Sequence, residues 1–332
     1  MFESPASTSR PILSLDPWSA EYGSAAEFED EDPDATLNFE VDHAVETTDW
    51  TAGVTPKALP FPDVVAFVDG VQRTESWARL DDEDSASVAV LASVAVGCVT
   101  STAGHAAVSV DYVTRVLAVG GPTRAEPLVV PRPQHPLVFE VARSTETGRH
   151  GAMQAVAVRR RDLEVASVAK HLANTPLVIA DGRLVELPRS SNQLVGMAKT
   201  LHQLYLSGDQ RALIPRLGAG QRTPVFLIKL QDSRDWRYSW FLRLPHTRAI
   251  HHTYAGIVRL EIPYAAAAPY VEVADMVSHN LPRFASRPQH DPRAPQNLVP
   301  IGGLERRLRH ELGDPAFIRR AIEDHLTREA QS

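Results

Sequence analysis

Three β-rich apolar runs stand close together in the first half of the chain: Val64-Val65-Ala66-Phe67-Val68, Ser87 to Thr100 and Ala106 to Val119. Runs of this kind, rich in valine and separated by short polar breaks, predict strands near enough for an antiparallel meander. Arg149 to Ala173 then carries Leu163, Val165, Val168, Ala169 and Leu172 near the spacing of one helical face. It is followed by Pro176-Leu177-Val178-Ile179-Ala180, a buried strand that runs into Asp181-Gly182, and Asn192 to Leu206 reads as a second amphipathic helix. Pro224 to Gln231, Tyr238 to Leu244 and Ala255 to Ile262 add strands. Leu304 to Leu312 reads as a helix stopped by Gly313, and Pro315 to Arg328 as a terminal one. The order predicts an α/β fold, a mixed β-sheet flanked by helices.

Several function classes are set aside by what the chain lacks. Its longest uncharged apolar stretches, such as Ala86 to Val99, fall short of the roughly 18 residues of a membrane span, so no membrane helix is expected. The segment beginning Met1-Phe2-Glu3 has neither a basic nor an apolar leader region, which makes the cytoplasm the expected compartment. Cys98 is the only cysteine; it excludes a disulfide framework and a cysteine-rich zinc site and reads as a core thiol. Neither a Walker A motif nor a Rossmann glycine fingerprint is present, so energy for any motor activity has to come from a partner.

The net charge of −7 argues against a nucleic-acid binder until the acids are located. Residues 1–60 hold 13 of them against Arg10 and Lys57, which leaves 28 acids and 32 bases in the rest, a mildly basic body. Residues 1–58 are therefore set apart as an acidic, partly disordered arm, with 59–332 as the functional domain and ordered structure starting near Asp63. Glu27 to Glu40 is either a partner-binding segment or a plain solvated leader.

Asp69 and Asp181 each end an apolar run and are each followed by glycine. A strand ending this way puts a carboxylate at the sheet edge and lets the chain turn. Asp-Gly is also a common turn dipeptide, so either alone is weak; two on neighbouring buried strands could converge on one divalent cation. Glu164, flanked by apolar positions on the preceding helix, is the candidate third acid, though a helical glutamate is more often a surface charge. Arg234, Trp236, Arg237, Tyr238 and Trp240 suit either base stacking or an ordinary hairpin. The adjacent His251 and His252 point to opposite faces of a strand and read as loop or strand residues rather than ligands.

Taken together, Val65-Ala66-Phe67-Val68-Asp69-Gly70, Leu163-Glu164, Leu177-Val178-Ile179-Ala180-Asp181-Gly182 and Gly196-Met197-Ala198-Lys199-Thr200 resemble, in order and spacing, the motifs of the NurA nuclease family. The resemblance covers about residues 60 to 325. It implies a ribonuclease H-like fold, with Asp69, Glu164 and Asp181 as ligands of Mn²⁺ or Mg²⁺ and Lys199 contacting a phosphate. It implies a DNA nuclease, exo- and possibly endonucleolytic, that processes DNA ends with a HerA-like hexameric ATPase and forms a homodimer. Lys199 also reads as a plain surface lysine on a helix. The family's Tyr-Pro element and downstream histidine have no counterpart at matching places, which leaves a fourth ligand open among Asp275, His279, His290, Asp291 and Asn297. Asp275 and His279, four apart, read first as a capping or surface pair. The same departure motivates an alternative, a catalytically degenerate module that binds nucleic acid or an ATPase.

Overall fold

The computed structural model describes residues 39–81, 86–133, 135–184, 194–201, 203–230, 236–265 and 269–331. Most of the acidic segment Glu27 to Glu40, and Arg234, lie outside them. In chain order the elements are β1 (Phe39–Asp42), β2 (Val65–Asp81), β3 (Ala86–Thr102), β4 (His105–Gly120), β5 (Leu128–Val130), β6 (Leu137–Ser144), α1 (Gly148–Leu172), β7 (Val178–Asp181), β8 (Leu194–Ala198), α2 (Gly208–Leu213), β9 (Phe226–Leu230), β10 (Arg237–Arg243), β11 (Ile257–Pro263), α3 (Tyr270–Asn280), α4 (Val299–Glu311) and α5 (Pro315–Glu329). The strands form one sheet in the order β1-β9-β10-β11-β8-β7-β2-β3-β4-β6-β5. The expected meander is there, β3 pairing antiparallel with β2 and β4, while β7 pairs parallel with both β2 and β8. This is the mixed sheet flanked by helices that the sequence predicts. Among the described residues no helix is long and apolar enough to cross a membrane.

Side-chain alternation along the parallel strands builds two cores. Val65, Phe67, Ile179 and Met197 face α3 and α4, where they meet Val277 and Ile301. Ala66, Val68, Val178 and Ala180 face α1 and pack on Ala152, Val156 and Leu163. Burying a side chain the size of Phe67 or Ile179 contributes about 2 kcal/mol. The first turn of α1 comes so close to β4 that a Cβ on Gly120 would lie 2.1 Å from the Gly148 carbonyl oxygen, which is why this strand ends in a residue without a side chain.

Three expectations are corrected. The stretch Asn192 to Leu206 is not a helix: its Leu194–Ala198 part is β8, buried at every position. A short run buried on both faces has no amphipathic period, so spacing alone does not separate strand from helix. Second, Asp69-Gly70 does not end a strand. β2 continues to Asp81, with Gly70 paired to Val96 of β3, whereas Gly182 does turn the chain, at φ +108. Third, the ordered body begins well before Asp63. β1 pairs with β9, Trp50 is buried, and Glu46 accepts bonds from both terminal nitrogens of Arg222 at 2.8 Å.

Arg222 also holds Asp275, its Nε and Nη2 donating to Oδ1 at 2.9 and 2.8 Å. Asp275 is thus a buried structural partner and no candidate ligand, while His279 on the same helix is exposed. The hairpin reading also accounts for Arg237, Tyr238 and Trp240, all buried within β10. Trp236 packs edge-on against Tyr264. Cys98 is buried in β3, as expected of a core thiol.

A polar clamp ties α1 to β4. Asp111 accepts hydrogen bonds from Ser109 at 2.7 Å and from Ser167 and Lys170 at 2.6 Å, and lies 2.8 Å from His171 Nε2. Burial alone would raise its pKa; the bonds from Lys170, Ser167, Ser109 and His171 outweigh that and bring it down to about 2. A carboxyl depressed by folding stabilises the native state above its unfolded pKa of about 3.9 and loses that contribution as pH falls towards the folded value. Asp111→Asn is therefore expected to cost about 2 kcal/mol at neutral pH and to narrow the gap to wild type as pH falls from 4 to 2, measured by urea unfolding.

Candidate metal centre

The parallel pairing of β2 with β7 ends at Val68 opposite Ala180, so the next residues, Asp69 and Asp181, stand side by side. β7 pairs in turn with β8, placing Asp181 opposite Met197. Lys199 follows two residues later, just past the end of β8. Carboxyl ends of parallel strands are where open α/β sheets form ligand clefts. By alternation Asp69, Asp181 and Lys199 all leave the sheet on the α4 face, with Phe67, Ile179 and Met197.

A third carboxylate arrives from α4. Glu305 shares its inward face with Ile301, Leu304 and Leu308, all buried. One carboxylate oxygen each from Asp69, Asp181 and Glu305 lies within 4.8 Å of the other two. Sequence reading passed over Glu305, although an acid in a 301/304/305/308 stripe of otherwise apolar residues is a legible signal.

Lys199 neutralises part of this charge. Its Nζ lies 2.5 Å from Asp181 Oδ2 and 4.0 Å from Glu305 Oε1, and donates to Asn297 Oδ1 at 2.9 Å. Burial disfavours the ammonium, but Asp181, Asp69 and Glu305 outweigh burial and hold its pKa above the usual lysine value. Burial also works to raise Glu305, yet Lys199 and a bond from Arg293 keep it below the ordinary glutamate value. Asn297 in turn donates to Asp291 Oδ2 at 2.7 Å. Two of the residues left open as a fourth ligand, Asn297 and Asp291, thus stand behind Lys199 and orient it, and His290 is exposed.

Asp69 is left short of positive charge. Only 6% exposed, it accepts a bond at Oδ1 from the Gly70 amide at 2.7 Å, while buried Oδ2 has no hydrogen-bond partner. Burial first, then the charges of Asp181, Glu305 and Glu164, push its pKa well above the carboxylate range against the pull of Lys199. An orphaned carboxylate oxygen beside two further carboxylates suits a hard divalent cation, whose charge would relieve that repulsion. The donor set, all oxygen with no sulfur or histidine, fits Mg²⁺ or Mn²⁺.

Glu164 reaches the same place from the other side of the sheet. It projects from α1, and a Cβ on Gly70 would lie 2.5 Å from its Oε1. That explains the glycine: Gly70 clears a path for a carboxylate rather than making a turn. Glu164 lines, with Asp69, Asp181 and Lys199, a cavity of 390 Å³ but stands outside the close trio. Burial raises its pKa against the opposing charges of Arg160 and Arg161, and Arg160 Nε is 3.6 Å from Oε1. Gly70→Ala would push this carboxylate aside but would also bring a Cβ to 3.0 Å from buried Val96 Cγ2, so Glu164→Gln is the cleaner probe. If Glu164 acts on the substrate or cation, hydrolysis by Glu164→Gln falls about 10²-fold; unaltered turnover would remove Glu164 from the site.

No protein-family model matches this chain, and no curated protein matches it. Among solved structures it is similar to the crystal structure of the NurA nuclease from Sulfolobus solfataricus, with 8% sequence identity and a TM-score of 0.43, over 83% of this chain and 86% of that one.

Proposed function

We propose that the chain is a divalent-cation-dependent deoxyribonuclease. The observation that carries this reading is the convergence of Asp69, Asp181 and Glu305 around the unpartnered Asp69 oxygen, with a buried, charged lysine beside them. Asp69, Asp181 and Glu305 would hold Mn²⁺ or Mg²⁺, with Glu164 available from the opposite side. The bound cation would supply Lewis-acid stabilisation of a phosphate and activation of water. Lys199, kept protonated by its neighbours, presents positive charge where negative charge develops on the phosphate oxygens. Asn297 fixes the direction of that charge, and Arg293 fixes Glu305. From the family resemblance, we extend the reading to the processing of DNA ends, to a HerA-like hexameric ATPase that feeds the DNA, to a homodimer and to a cytoplasmic setting. The test is degradation of linear single- and double-stranded DNA by the purified chain with Mn²⁺. Loss of activity in EDTA and in Asp181→Ala supports it; no hydrolysis under any divalent cation ends it.

One observation favours a second reading. Lys199 already pairs with Asp181 at 2.5 Å, so the site is partly neutralised without any ion, as in a module that binds nucleic acid or an ATPase without cutting. Calorimetric titration with Mn²⁺ separates the two, since the binding module has no cation affinity for Asp181→Ala to remove.

A further inference from the structure

The cavity over the carboxylates is walled by cations as well as acids: Arg160, Arg161, Arg183, Lys199 and Arg259 all line it. They differ in how far neighbours already engage them. Lys199 is bound to Asp181. Arg259 donates to Glu261 at 3.0 Å and to the Gln203 carbonyl at 2.7 Å, and covers the Tyr205 ring at 4.6 Å. Arg160 is engaged more loosely, its Nε standing 3.6 Å from Glu164 Oε1, an ion pair beyond hydrogen-bond distance. Its Nη1 makes a long 3.4 Å bond to the Gly70 carbonyl, and its Nε is buried without a hydrogen-bond partner. Arg161 makes no hydrogen bond among the described residues; Glu164 feels its charge but does not bond to it. Each guanidinium offers five N–H donors in a planar fork that matches phosphate oxygens.

Position supports a shared task. Arg160 and Arg161 stand four and three residues before Glu164 on α1, so both flank it on the helix surface. They border the cavity from the face opposite Glu305, leaving the carboxylate floor between them and α4. Donor-rich arginines at the rim of an acidic floor suit a polyanion whose backbone is held at the rim while one linkage reaches the floor.

We infer that Arg160 and Arg161 form a clamp for non-bridging phosphate oxygens of a nucleic-acid strand, gripping the backbone next to the linkage to be cut without reading its sequence. The inference rests on the nuclease reading for the placement of that linkage, but the clamp acts in binding and needs no metal. It is tested by fluorescence anisotropy of a labelled oligothymidylate in EDTA, with wild type, Arg161→Gln and the double variant Arg160→Gln/Arg161→Gln. Affinity is expected to fall about tenfold per arginine removed, and the slope of log affinity against log salt by about one per arginine. Arg161→Gln has no internal hydrogen bond to lose, so it carries the test if the double variant folds poorly. Unchanged affinity and slope in folded Arg161→Gln, or a wild-type chain that binds no oligonucleotide, overturns the clamp. Hydrolysis with Mn²⁺ is scored separately. Binding that depends on the arginines without cutting keeps the clamp and removes the nuclease reading; cutting with arginine-independent binding does the reverse.

Discussion

Replacing Asp69 with asparagine is expected to lower Mn²⁺-dependent DNA hydrolysis about 10³-fold or more, the effect of losing several kcal/mol of cation-mediated charge stabilisation. The same change should raise the melting temperature of the metal-free protein at neutral pH. Asp69 is buried beside Asp181, Glu305 and Glu164, and its Oδ2 has no donor; an uncharged amide of the same shape relieves that repulsion and keeps the Oδ1 bond from Gly70. Opposite signs for activity and stability are the signature of a residue retained for chemistry rather than for folding. A variant that is both inactive and destabilised would instead make Asp69 structural.

Lys199→Met should act in the other direction. Deleting the buried ammonium leaves Asp181 without its nearest countercharge, while Glu305 keeps Arg293, and breaking a buried ion pair from one side costs about 3–5 kcal/mol. Saturating Mn²⁺ should restore part of this stability, because an ion among the carboxylates supplies charge that the lysine no longer does. Hydrolysis should stay impaired despite that recovery, since the positive charge facing the phosphate is gone. Denaturant unfolding with and without Mn²⁺ measures both effects. A loss below about 1 kcal/mol, or Mn²⁺ stabilising the variant no more than it stabilises wild type, would place Lys199 outside the carboxylate network.

Sequence made part of this site legible. Asp69 and Asp181 stand out only as a pair, since either Asp-Gly alone reads as a turn dipeptide while two after buried apolar runs can converge, and the meander, α1 and β7 followed from strong periodicity and composition. The misreadings share a physical origin. β8 is buried on both faces, so it lacks the alternation that marks a half-exposed strand. Gly70 looked like a turn glycine because sequence cannot tell a positive φ from a need for clearance; only the position of Glu164 across the sheet shows which applies. Glu305 lies over 100 residues from Asp181, and its convergence depends on how α4 docks, which short-range patterns do not carry. Asp275 shows why an acid on an apolar helical stripe is not enough: it has the same pattern, yet Arg222 is already its partner.

The most direct test is anomalous scattering from crystals grown with Mn²⁺. A single strong manganese peak is predicted within bonding distance of Asp69, Asp181 and Glu305, with the Lys199 ammonium moved off Asp181. Saturating Mn²⁺ with no peak there, and Lys199 still paired to Asp181, would contradict the metal centre and with it the nuclease.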